Sequence, residues 1–131
     1  MPVADVPFAY AILRIVPCVE RGERLNVGVV VYCRQRDFLD LRTQIDEQRL
    51  RALAPYLDLN EVGASLAAIR AVVRGEQDGG ALAALPPSER FGWLVAPAST
   101  IFQPSEVHTG LTRDPRATLD HLFAALVSPS G

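Results

Sequence analysis

The chain has 131 residues, enough for one domain with its own core, and a balance of 49% hydrophobic and 21% charged residues excludes disorder. A net charge of −2 argues against nucleic-acid binding through general phosphate attraction and leaves only a local basic patch for that purpose. All 13 basic residues are arginine, which excludes a P-loop or Schiff-base lysine; together with abundant alanine, the bias suits a GC-rich genome.

The first residues lack the basic and apolar regions of a signal peptide, and no apolar run approaches the ~20 residues of a membrane span. The expectation is a soluble cytoplasmic protein. Residues 8–16 alternate as a strand, with Phe8, Tyr10, Ile12, Arg14 and Val16 on one face and Ala9, Ala11, Leu13 and Ile15 on the other. Two largely apolar faces predict a central strand, which Pro17 is expected to end. A polar connection with Gly22 at its tip follows. Residues 25–33 are a valine-rich second strand, in which Gly28 marks a bulge or a close approach by another group. Cys18 and Cys33 lie towards opposite ends of this hairpin, too far apart for a disulfide, so two free thiols are expected. Residues 34–37 turn into an edge strand over 38–43, completing a three-stranded antiparallel meander.

The period then changes to that of a helix. Leu50, Leu53 and Ala54 predict one from about Asp46, stopped near Pro55. Asp58 and Glu61 resemble a capping box for a second, carrying Val62, Leu66, Ile69 and Val73 and ending at Gly75. Residues 75–80 read as a flexible loop. Pro86 and Pro87 open a short helix, with 91–95 open between helix and strand, and 97–100 read as a turn. Residues 101–103 and 106–108 are predicted short strands broken by Pro104. Asp114 and Pro115 start the last helix, with Leu119, Leu122, Phe123 and Leu126 on one face and His121 on its solvated side. The prediction is an α+β fold: an antiparallel sheet beginning with the meander, about four helices, and the C-terminal helix docked on the core. One domain spans 1–131, with a core over about 8–127 and frayed ends at 1–6 and 128–131.

The sequence carries no catalytic or zinc motif, so neither a metal nor a cofactor is expected. Two segments concentrate polar chemistry. The first runs from Arg14 through Arg21, Glu23 and Asn26. Arg14 is a charge on an apolar face and requires a partner, for which Glu23 is the natural candidate. This is either an ion pair fixing the hairpin or a guanidinium offered to a phosphate or carboxylate. The second segment holds Gln103, Ser105, His108 and Arg113, read either as helix capping plus a turn or as part of a site.

Tyr10-x-x-x-Arg14-x-x-Pro17 followed by Arg21-Gly22-Glu23-x-x-Asn26-Val27-Gly28-Val29-Val30 resembles the opening signature of the family called domain of unknown function 3037. Gln103-x-Ser105, Thr112-x-Asp114-Pro115 and Leu119-x-x-Leu122-Phe123 are similar to its C-terminal half. The resemblance implies a small bacterial protein with no assigned activity, often encoded beside a HipA-like kinase. It points to a non-enzymatic partner or regulator of another protein, with that kinase as the first candidate and a homodimer left open. The alternative is a phosphate- or nucleic-acid-directed enzyme or binding domain. Its single pocket would be built from Arg14, Arg21, Glu23, Asn26, Gln103, Ser105, His108 and Arg113.

Overall fold

A computed structural model describes residues 3–96 and 100–128. Five strands form one antiparallel sheet: β1 (Val6–Cys18), β2 (Glu23–Cys33), β3 (Phe38–Thr43), β4 (Phe102–Pro104) and β5 (His108–Thr112). β1 to β3 are the expected meander. β4 and β5 both pair with the far side of β1, so the order is β3-β2-β1 followed by β4 and β5 end to end. β1 is therefore central, as its two apolar faces require.

The helices are α1 (Glu47–Leu53), α2 (Leu59–Val73), the single turn α3 (Gly80–Ala83), α4 (Pro87–Val95) and α5 (Pro115–Leu126). Asp46, Asp58 and Asp114 each accept backbone N–H bonds in the first turns of α1, α2 and α5, satisfying donors the helices cannot satisfy internally. The residues left open between helix and strand belong to α4. One sheet face packs Ala11, Leu13, Ile15, Val30 and Leu41 against Leu50 of α1, Val62 and Leu66 of α2 and Phe91 of α4. The other face packs Val29 and Val31 under Leu119 of α5.

Two bulges shape the hairpin. Leu13 pairs with Gly28 but Arg14 pairs with Asn26, so Val27 is an extra residue in β2. That extra residue reverses the in–out alternation, leaving Val27 and Val30 in one core and Val29 and Val31 in the other. Gly28 sits beside it, where an added Cβ would lie 3.1 Å from the Arg42 carbonyl oxygen and 3.1 Å from Thr43 Cγ2. The second bulge falls between Ile15 and Cys18 and takes in Pro17. Pro17 thus bends β1 without ending it, because a bulged residue owes the ladder no N–H.

Three expectations need correcting. Residues 75–80 are largely exposed but carry local structure: Gln77–Gly79 form a 3-10 turn, and a Cβ on Gly79 would meet Ala83 Cβ at 2.6 Å. β4 runs through Pro104, and the last strand begins at His108 and continues to Thr112, because Ser105 bridges the gap between the two pieces. Arg14 does not pair with Glu23. Glu23 stands opposite Cys18, about 13 Å along the strand at ~3.3 Å per residue, and binds Arg21 at 2.6 Å. β1 already begins at Val6, which is buried and pairs with Thr112. Cys18 and Cys33 are free thiols. The expected turn at 97–100 and the expected C-terminal tail fall largely outside the described residues; of the expected N-terminal tail, residues 3–6 are described, with Asp5 bound to Arg113 and Val6 in β1.

Candidate functional site

The first bulge decides where the polar signature points. By reversing the alternation of β2, it puts Asn26 on the α5 face beside Arg14 instead of in the opposite core. Arg14 pairs with Asn26 on one side and with Gln103 on the other, so three polar side chains form a row across β2, β1 and β4. Arg14 Nε donates to Asn26 Oδ1 at 3.3 Å. Asn26 Nδ2 in turn donates to the Leu126 carbonyl at 3.1 Å. α5 has no basic residue in its last turn, so the sheet supplies the donor and the positive charge that its carbonyl end attracts. Burial lowers the proton affinity of Arg14, the nearby charge of Arg24 lowers it further, and Glu106 opposes both. Arg14 remains a cation.

A second row runs beside it. Tyr10 pairs with His108, and the two rings stack with centroids 5.1 Å apart. Phe8 stacks on Tyr10 at 6.0 Å and lies across Gly110, where a Cβ would come within 2.8 Å of its ring. His108 Nε2 is 3.6 Å from Glu106 Oε1.

The eight residues singled out from the sequence do not meet in one cavity. Arg14, Asn26 and Gln103 share the row, and His108 lies on the same face four β1 positions away. Gln103 spends its amide on the Thr100 carbonyl. Ser105 is buried, its hydroxyl accepting from the Ile12 amide at 2.8 Å and donating to the Glu106 carbonyl at 2.9 Å. It replaces a strand residue where β4 ends and β5 has not begun. Arg21 and Glu23 are an ion pair at the hairpin tip. Arg113 lies at the opposite end of β1, bound to Asp5.

Two features carried no sequence signal strong enough to find them. Arg24 and Arg49 line a cleft of about 460 Å³ with Asn26 and Leu126, and neither guanidinium is bonded to a carboxylate among the described residues. An apolar groove of about 750 Å³ opens on the other side of the sheet, between α2, α4 and β4. Leu13, Ile69, Val72, Leu94 and Phe102 form its floor and walls, while Leu82 and Trp93 stand 38% and 37% exposed at its rim. Its edge between Ala96 and Thr100 falls outside the described residues. Trp93 alone hinted at it, as a large apolar residue on the ambiguous segment that proves to be α4. Among the described residues no three metal-ligating side chains come together, and no helix is long and apolar enough to cross a membrane.

The model of the family described as "Protein of unknown function (DUF3037)" matches residues 10–127. No curated protein and no solved structure matches the chain.

Proposed function

From the premise that the chain belongs to the DUF3037 family, we propose that it is a non-enzymatic binding module that docks another protein in the groove between α2 and α4. The observation that carries this reading is the groove itself: an apolar trough with a tryptophan and a leucine exposed at its rim. Apolar concavities with an aromatic residue at the rim are a usual form of binding site, and tryptophan is enriched among the residues that dominate binding energy. The resemblance supplies the first partner to test, a HipA-like kinase of the kind often encoded beside members of the family.

Trp93 is the only tryptophan in the chain, so its emission reports occupancy directly. Titration with that kinase is expected to shift the emission to the blue and give a complex that co-elutes. Trp93→Ala and Leu82→Glu, each shown to be folded by circular dichroism, are expected to abolish co-elution. Separate elution at micromolar concentration, or a complex indifferent to both substitutions, would overturn the reading.

A second reading has its own observation behind it. Arg14 and Arg24 are close enough for one charge to depress the other's proton affinity, and neither is bonded to a carboxylate among the described residues. Paired guanidiniums are suited to a phosphoryl group, with Asn26 and Gln103 alongside. Thermal shift with inorganic phosphate and with a short single-stranded oligonucleotide tests it. Stabilisation that Arg24→Ala removes would favour this reading, and none with either ligand would sink it.

A further inference from the structure

The sheet has two lateral edges, and the fold treats them differently. At β3 the edge is crossed by charged side chains from both helical layers. Asp40 binds Arg74 at the C-terminal cap of α2 and Arg116 of α5, and Arg42 binds Asp120. Such charges are a usual defence against the addition of a further strand. At β5 no comparable guard is present among the described residues.

The direction of the free groups on β5 follows from Ile12. Its amide donates to Ser105 Oγ and its carbonyl accepts from the Ser105 amide, so the even-numbered residues of β1 address the β4–β5 side. Val6–Thr112, Phe8–Gly110 and Tyr10–His108 are therefore the hydrogen-bonded pairs. Thr109 and Leu111 turn their N–H and C=O groups outwards. Leu111 is 68% exposed, and Val107, just before the strand, is 42% exposed.

We infer that β5 is a self-association strand, to which β5 of a second copy adds antiparallel across a two-fold axis through Thr109. Such an axis stands perpendicular to the sheet and keeps equivalent faces together. It pairs Thr109 with its own copy and Val107 with Leu111 of the copy, covering the exposed apolar side chains reciprocally. His108 then faces Gly110, which has no side chain to disturb the Tyr10–His108 stack. Glu106 faces Thr112 and Arg113 faces Ser105, so no like charges oppose. Moving the axis to Gly110 sets Glu106 against Asp114 and Val107 against Arg113. About Thr109 the strand is thus complementary to its own reverse, which favours a second copy over an unrelated strand. A contact this short buries less than the ~1,200 Å² of a stable complex, so the dimer dissociates on the order of micromolar or above.

Sedimentation velocity from micromolar to millimolar concentration is expected to show a monomer–dimer equilibrium. Thr109→Pro removes an outward N–H that β1 does not use, and Leu111→Lys puts a charge in the apolar pair. Both are expected to leave a monomer with unchanged circular dichroism. Geometry adds a second measurement, made in a Cys18→Ser background. Hydrogen-bonded antiparallel partners sit about 5.5 Å apart at Cα, within disulfide range. Thr109→Cys is therefore expected to cross-link on mild oxidation and Leu111→Cys is not. A protein monomeric throughout, whose Thr109→Cys variant fails to cross-link, would overturn the inference. So would a dimer that survives Thr109→Pro and Leu111→Lys, which would place the contact elsewhere, the Trp93 groove included.

Discussion

Asn26 and Leu126 lie 100 residues apart in the chain, and the side-chain amide of the first donates to the backbone carbonyl of the second at 3.1 Å. The bond ties the C-terminus of α5 to the second strand, with Arg14 holding the asparagine from the other side at 3.3 Å. Asn26→Ala is expected to cost about 1 kcal/mol, the usual worth of a helix-terminal side-chain bond. Urea denaturation reads the loss, and amide exchange is expected to quicken first in the last turn of α5. Arg14→Met keeps the aliphatic stem and is expected to cost less.

Ser105 is a structural residue on its geometry. Ser105→Ala leaves the Ile12 amide without its acceptor in a buried strand. An unsatisfied buried donor costs about 1–3 kcal/mol. Chemical denaturation is expected to show that loss, with faster exchange of the Ile12 amide while the β1–β2 amides stay protected.

Gly28→Ala tests the close approach of β3. The methyl group would press on the Arg42 carbonyl at 3.1 Å, a backbone atom that can move only with the strand. Overpacking of this kind costs about 1–3 kcal/mol. Thermal unfolding is expected to begin several degrees lower, and an unchanged midpoint would show that β3 yields freely.

Asp40 sets an acid limit on stability. Burial by itself raises its proton affinity, but hydrogen bonds from Arg74, Arg116 and the Leu41 amide outweigh that and hold the carboxyl below its ordinary range. A depressed folded-state pKa means the stabilisation is complete above the unfolded value of about 3.9 and drains away as pH falls towards the folded one. Asp40→Asn is expected to be clearly less stable than wild type at pH 7. The gap should narrow as pH falls through the carboxylate range, as urea titrations at a series of pH values would show. The arginines are 40% and 54% exposed, so solvent screening keeps the neutral-pH gap to about 1–2 kcal/mol.

The local features of this fold were legible in the sequence because they depend on neighbours in the chain. Asp46, Asp58 and Asp114 cap the helices they precede, and the meander follows from alternation. Features made by distant pairing were not. A bulge is invisible until the register is known, so the face of Asn26 and the partner of Arg14 could not be read. The split of the last edge into β4 and β5 depends on one hydroxyl reaching Ile12 across 93 residues. The turn within 75–80 was not legible because a glycine that signals a loop can equally serve close packing, as Gly79 does against Val72 and Ala83. The Trp93 groove combines residues from α2, α4 and β4 that share no periodicity.

The pairing of β4 and β5 with β1 also sets a timetable. The central strand is made first, yet one of its flanks is closed only by residues 102–112. While the chain is being synthesised, the meander emerges with that flank bare and its valine-rich neighbour already in place. An unpaired central strand invites pairing with other nascent chains. The domain therefore cannot close this flank until residues 102–112 have been made, and a chain stopped short of them keeps that side of β1 unpaired.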